Sequence, residues 1–439
     1  MVGLWRPLRG TYRAPDPSDP IHMSTTPKAV YARLSIMMFI QFAIWGSWAV
    51  LIAGHMAYLG FTGTEISYVF GTTAFGSLIS PLIAGWVADR VMPNQTFTAL
   101  CHFAGAPILY LAWQQTEFMP MWLAIFVYAM LYMPTIALTN AIAFHHSADS
   151  RAFGNVRMWG TIGWIAIAWV MSYYLEVRAE QDPSGHYLGD CLIATTLLSI
   201  VMGIYCLTLP STPPSRDEKH PYAFLEAFKL TQDRNFTVLL VVSFVVAIEL
   251  PFYYNLTFLF LTEPETGVGL SASSANVAMS LGQIGEVALM LLLAPSIRRL
   301  GMRKTITLGI LAWPVRYSIF AIGQPAWLVI AAQTLHGICF SLFFVGGMIA
   351  VERLSRRDIR ASAQGLIVFA TNGVGMLVGH FFSGRVHEYF ALPSGGHDWS
   401  MIFLVPIAIT ILAAIWFVAR FSESEYTQVS EAIAEAERE

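Results

Sequence analysis

Val277–Leu293 reads VAMSLGQIGEVALMLLL, a run apolar enough to cross a bilayer that nevertheless carries Gln283 and Glu286 near its middle. Residues three apart share a helix face, so Gln283 and Glu286 point the same way, with Met279 and Met290 one turn to either side. A charged side chain at the bilayer centre costs at least ~2.5–3.5 kcal/mol, and such a group normally faces a water-filled cavity and serves transport or proton movement. The plainer alternative is a glutamate that ties two helices together, and this stretch alone leaves both open.

The rest of the chain is built in the same way. Of its 439 residues, 56% are hydrophobic and only 12% charged, and the mean hydropathy is +0.56. This is too apolar for an ordinary soluble domain and predicts a multi-pass membrane protein. Runs of about 20 apolar residues match helices across a hydrocarbon core ~30 Å thick, whereas barrel strands would show short alternating segments. The fold class is therefore all-α. A net charge of -3 with no long basic block leaves no footprint for nucleic acid.

Hydropathy windows place twelve spans, near 32–58, 66–88, 96–114, 119–144, 155–176, 188–209, 236–261, 273–297, 303–322, 326–350, 361–386 and 399–420. They divide as an N-terminal tail (1–31, expected to be disordered), six spans (32–209), a polar connector (210–235), six more spans (236–420) and a C-terminal tail (421–439). Met23, just before the first span, is a second candidate start beside Met1. Basic clusters at Arg298, Arg299, Arg303 and Lys304, and at Arg353, Arg356, Arg357 and Arg360, fall on one side of this arrangement together with the connector and the N-terminal tail. Cytoplasmic loops carry the positive excess, so both termini are expected in the cytoplasm, with the chain in the inner or plasma membrane. Pro81, Pro134, Pro251 and Pro314 are expected to kink their helices. Gly375 with Gly379, and Gly71 with Gly76, are expected to pack spans closely.

Further polar groups sit at membrane depth. Arg157, Thr161 and Trp164 form one helical stripe, and Gln41, Trp45 and Trp48 repeat that spacing on the first span. His336 shares a face with Phe340 on span ten, Glu249 lies inside span seven, and Arg316 lies in span nine. Each buried arginine needs an acidic partner, carbonyls, water or a route to the interface. Aromatic stripes also serve helix packing, and a membrane histidine also serves as a hydrogen-bonded core residue. Cys101, Cys191, Cys206 and Cys339 have no paired spacing and read as packing residues. His145, His146 and Asp149 lack further ligands, so no metal site is expected. H-E-x-x-H, P-loop and nucleophile-elbow patterns are missing from the sequence, so neither an enzyme nor a cofactor is expected.

At Gly85–Arg90 the string GWVADR resembles the loop between spans two and three of the major facilitator superfamily. Longer strings, FIQFAIWGSW (39–48), LYMPTIALTN (131–140), VRMWGTIGW (156–164) and IRASAQGLIVFATNGVG (359–375), closely resemble the bacterial nucleoside:proton symporter family within it, and the similarity runs from about Ile36 to Ala419. The resemblance implies two six-helix bundles with a solute held between them near the midplane. It also implies that Arg157, Thr161, Trp164 and Phe340 line the cavity, that Gln283 contacts solute, that Glu286 carries proton coupling, and that Asp89 and Arg90 form a gate. Two regions depart from the family pattern. In span seven an ungapped match puts Pro251 and Tyr254, with Asn255 beside them, where the family has Gln and Asn; in span ten its Tyr and Asp become His336 and Ser341.

The expected function is proton-driven import of a nucleoside or similar small polyhydroxylated solute. Glu286 is the principal proton carrier, His336 shares its proton, and Glu249 stands in reserve. Gln283, Thr161 and Arg157 bond the solute, Trp164, Trp45 and Phe340 stack on it, and Tyr254, Asn255 and Gln41 complete the site. A carrier of sugars or glycosides, an uncoupled facilitator and a non-transporting sensor remain as alternatives. Oligomeric state is not legible in the sequence.

Overall fold

The computed structural model describes residues 27–148, 150–182, 185–214, 228–356 and 359–437, without the side chains of 81–82, 85–90, 150–151 and 361. Among them all regular structure is helical, and the one pairing of extended chain is a bridge between Ala391 and His397. Nine helical segments are long and apolar enough to cross a membrane. One of these, Ala272–Ile322, has 51 residues and turns at Gly301, whose φ of 81° only glycine adopts freely, so it supplies two crossings. Gly63–Arg90 and Ser150–Gln181 have the length, at 28 and 32 residues, but more polar sequence. Together these make the twelve.

Spans one to six are Lys28–Tyr58, Gly63–Arg90, Asn94–Trp113, Phe118–His146, Ser150–Gln181 and His186–Cys206. Spans seven to twelve are Arg234–Thr262, the two arms of Ala272–Ile322, Ala326–Arg353, Ser362–Tyr389 and Trp399–Arg420. Span one starts four residues before the expected 32. The tail before residue 27, residues 215–227 of the connector, and Asp149 of the His145–His146–Asp149 group lie outside the described residues.

Helix starts follow the sequence closely. Thr62 and Glu65 exchange hydrogen bonds, Thr62 N to Glu65 Oε2 at 2.8 Å and Glu65 N to Thr62 Oγ1 at 3.2 Å, a reciprocal cap that opens span two. Asp233, Ser271 and Asp398 accept from the third residue on, capping spans seven, eight and twelve. The C-terminal segment does not hang free: Glu423–Ala436 is a helix. Its Glu423 carboxylate accepts from the backbone N–H groups of Met302 and Arg303 at 2.9 and 2.6 Å. A carboxylate there satisfies donors at the start of span nine that have no intrahelical partner.

Pro134, Pro251 and Pro314 lie inside their helices as expected. The larger irregularities fall elsewhere. Span one breaks between Trp48 and Leu51, span ten widens to a π-helix over Cys339–Val345, and span eleven does so over Phe369–Gly375. Neither widened stretch contains a proline. Such distortions concentrate at functional sites.

Each bundle has its own packing. Gly375 and Gly379 carry span eleven against span seven, where an added Cβ would come within 2.7 Å of Ala247 Cβ and 2.3 Å of Ile248 O. All four cysteines are buried and unpaired. The bundles meet along spans five and eight and along spans two and eleven. Hydrogen bonds cross at the end away from the termini: Asn276 Nδ2 to Ala168 O and Ser172 Oγ at 2.7 and 3.0 Å, and Trp169 Nε1 to Ser280 Oγ at 2.9 Å. On the other side of the molecule Asn255 Nδ2 reaches Ser67 Oγ at 3.2 Å, and Glu388 accepts from Thr64.

Candidate functional site

Between the bundles, at mid-depth, lies a narrow crevice lined by Ala49, Val50, Trp164, Tyr253, Tyr254, Met279 and Gln283. The break in span one supplies the first two. On the same elements, spans five and eight, stands a pair of opposite charges, one from each bundle. Arg157 on span five sits with its guanidinium 3.9 Å from the centre of the Phe42 ring, a cation–π contact that holds the charge off the bilayer. Glu286 on span eight is near enough to feel that charge without closing an ion pair. Each half-buried side chain is thus the other's electrostatic partner across the gap.

Several of the expected residues are partly buried on the same spans. Trp45 meets Trp164 edge-on at 5.8 Å between ring centres and Tyr132 at 6.3 Å. Thr161 lies one turn from Arg157 and is half-buried, as are Gln283, Tyr254 and Phe340. The glutamate's backbone is held by a close helix crossing. A Cβ on Gly337 of span ten would lie 2.3 Å from Gly285 C and 2.6 Å from Glu286 N. Ser341 adds a long contact, its hydroxyl 3.5 Å from the Glu286 carbonyl. Span ten therefore meets Glu286 at its main chain.

Four expected members are placed differently. Gln41 is fully buried inside the first bundle, donating to Thr135 Oγ1 at 2.8 Å and lying 3.1 Å from His102 Nε2, so its amide is engaged there. Asn255, one step and about 100° around the helix from Tyr254, turns away from the crevice. It bonds Ser383 Oγ at 2.9 Å and His380 Nδ1 at 2.9 Å in the seam between bundles. His336 does not reach toward Glu286: its Nδ1 is 3.2 Å from Arg316 Nη1, and its ring stacks on Tyr253 at 5.0 Å and 15°. Glu249 is likewise fully buried, within the second bundle and facing the charge of Arg316. Asp89 and Arg90 close span two, and their side chains lie outside the described part of the structure. Tyr253, which sequence reasoning missed, lines the crevice; it lay beside the expected Tyr254 with no polar neighbour to single it out.

A larger hollow of about 470 Å³ opens at the end away from the termini, lined in part by Thr62, Glu263, His387, Glu388 and His397. There His387 and His397 stack at 3.8 Å, and His397 Nδ1 lies 2.9 Å from Glu263 Oε1. Burial alone would raise the Glu263 carboxyl, but hydrogen bonds from His397, Thr266 and Trp399 outweigh it and hold the group below its usual range. Among the described residues no group of three or more histidines, cysteines and acids could hold a metal ion.

Comparison with known proteins gives a consistent picture. The family profile described as "Nucleoside H+ symporter" matches residues 28–426. The YegT protein of Escherichia coli K12 is 34% identical over 408 residues, covering 90% of this chain and 94% of its own. The nucleoside permease NupG of the same organism is 30% identical over 407 residues, covering 89% and 95%. The crystal structure of nucleoside transporter NupG superposes with a TM-score of 0.79 at 28% identity, covering 90% of this chain and 99% of that one. A D-xylose-proton symporter shares the fold at a TM-score of 0.67 and 11% identity, covering 90% and 99%.

Proposed function

The chain belongs to the nucleoside H+ symporter family of membrane transporters, and from that premise we propose that it imports a nucleoside, or a similar small polyhydroxylated solute, together with protons. It is a transporter rather than an enzyme. The observation that carries the reading is the electrostatic pairing of Arg157 on span five of one bundle with Glu286 on span eight of the other. A charge pair divided between two rigid bodies couples their separation to protonation. With Glu286 ionised, attraction to Arg157 favours approach; with Glu286 protonated, Arg157 is released to donate to the solute.

Gln283 and Thr161 supply further polar contacts in this scheme. Trp164, Trp45, Tyr254 and Phe340 offer aromatic faces to a base or to the apolar side of a sugar. The positive loops at the terminal end, including Arg298, Arg299, Arg353 and Arg360, support a cytoplasmic placement of both termini. In that orientation the bonded seam of Thr64, Ser67, Asn276 and Ser280 closes the outer side, and Asp89 and Arg90 act as the cytoplasmic gate.

The departures at Tyr254, His336 and Ser341 make the solute a matter for measurement. Purified protein in proteoliposomes, offered labelled uridine, adenosine, xanthosine and xylose with and without an imposed pH gradient, is expected to accumulate a nucleoside only with the gradient. Glu286→Gln is expected to abolish accumulation while leaving exchange. Gradient-driven accumulation by that variant would remove Glu286 from coupling, and uptake of xylose alone would replace the nucleoside reading with a sugar carrier.

A further inference from the structure

The crevice pair leaves a second charged group unexplained. Arg316 on span nine is 0% exposed at membrane depth, and its guanidinium lies 4.4 Å from the Tyr253 ring centre and 5.0 Å from that of Tyr317. An arginine there needs a compensating partner. Glu249 is the acid that faces it: also 0% exposed, it approaches Arg316 from span seven, with the Tyr317 hydroxyl beside it and neither carboxylate oxygen hydrogen-bonded. This acid therefore lies near a fixed cation inside one bundle. It does not belong to the gap where the bundles part.

Arg316 does one thing more. Its Nη1 is 3.2 Å from His336 Nδ1. Arginine carries donors and no acceptor, so the imidazole nitrogen must accept, and an imidazole that accepts at Nδ1 is neutral with its proton on Nε2. His336 is held in this position by stacking on Tyr253, which lines the crevice, and by Gly282, where an added Cβ would come within 3.3 Å of His336 Cβ. We infer that Arg316, faced by Glu249, fixes His336 as a neutral Nε2–H donor behind the Tyr253 wall of the crevice, so that a solute reaching past that wall is selected for a hydrogen-bond acceptor there, such as a base carbonyl or an unprotonated ring nitrogen. Arg316 is a positioning residue, and His336 is the residue that reads the solute. The selectivity half of this inference rests on the proposed nucleoside site; the tautomer half does not.

The groups that could perturb His336 are few and all named. Span seven contributes Glu249, Tyr253 and Tyr254, span nine Arg316 and Tyr317, span eight Glu286, and span ten its own Cys339. Of these only Arg316 bonds the ring.

The test needs no substrate for its first arm. Protein labelled with ¹⁵N-histidine in nanodiscs, with His336→Gln assigning the signal, is expected to show His336 protonated on Nε2 and bare on Nδ1 from about pH 5.5 to about pH 8. Removing the buried pair together, Arg316→Met with Glu249→Gln, leaves no lone buried charge and is expected to let the signal titrate near the ordinary ~6.5 of histidine. A wild-type signal that titrates in this range, or that carries its proton on Nδ1, overturns the inference even if the double variant fails to fold. In the second arm, His336→Phe is expected to raise the KM for uridine about tenfold, the loss of roughly one hydrogen bond. The double variant is expected to lose affinity progressively as pH falls, and an unchanged KM in His336→Phe overturns the selectivity half. If uridine is not carried at all, the proposed function fails, while the spectra still decide the tautomer.

Discussion

Glu388 at the end of span eleven accepts two hydrogen bonds from Thr64 in the first turn of span two, 3.3 Å from its backbone N–H and 2.6 Å from its hydroxyl. The first N–H groups of a helix have no partner within it, and the positive end of the helix favours an anion. One acid from the second bundle thus completes a helix of the first. The contact lies beside Gly384, where a Cβ would come within 2.4 Å of Ser67 Oγ, so the two bundles are closely fitted as well as bonded here.

Removing this acid should loosen one side of the molecule. A hydrogen bond to a charged group contributes about 1.5–3 kcal/mol, enough to shift a two-state population about tenfold or more. Spin labels at Tyr58 and Tyr389, both exposed, are expected to report a longer-distance population in Glu388→Ala that is minor in the parent. An identical distance distribution in the two proteins would mean that the pair does not hold the seam.

The crossing beneath Glu286 should be intolerant of a single methyl group. Gly337→Ala places a carbon 2.3 Å from Gly285 C, against backbone that cannot swing aside. Overpacking of this kind costs about 1–3 kcal/mol, so the detergent-solubilised variant is expected to melt several degrees lower and to lose uptake. Gly347→Ala, ten residues on with nothing within 4 Å of the added carbon, is the control and is expected to match the parent. Equal melting of the two variants would show that spans eight and ten do not meet as closely as described.

Acid should weaken the ring of contacts around Glu263. Its carboxyl is held below the usual range, so the folded state binds that proton less readily than the unfolded chain does. The stability it contributes is complete above the ordinary ~4.3 of a glutamate and is lost as pH falls through the lower folded value. The melting difference between the parent and Glu263→Gln is therefore expected to stay level from about pH 7 to about pH 5 and to close below about pH 4. A difference that instead closed between pH 7 and pH 5 would assign the effect to another group.

How much of this was legible in the sequence differs between fold and site. Apolar windows found every crossing, because hydrocarbon demands a long apolar helix whatever surrounds it. They missed that spans eight and nine join through Gly301 in one continuous run, since a loop and a sharp turn have the same composition. The cavity residues were read from stripes, and a stripe gives a direction without naming a neighbour. Gln41, Trp45 and Trp48 share one such stripe, yet only Trp45 is partly exposed and packs on Trp164 of the crevice, while Gln41 and Trp48 are enclosed within their bundle. Each membrane arginine was expected to need an acid, carbonyls, water or a route to the interface, and each lies within the influence of an acid. That Arg157 faces Glu286 and Arg316 faces Glu249 depends on contacts between distant spans, which no local spacing encodes.

The widened turn of span ten, Cys339–Val345, has a consequence for how this helix tolerates change in length. A π-helical stretch accommodates a surplus residue relative to an α-helix. Losing one residue there lets the stretch relax to ordinary α-helical winding while both ends of the span keep their facing. The same loss in the regular helix Ala326–Ala332 would rotate the remainder of the span by about 100°, turning His336 away from Arg316. Length variation in this span is thus absorbed at one place, immediately beyond the histidine, and the register that presents His336 is protected from it.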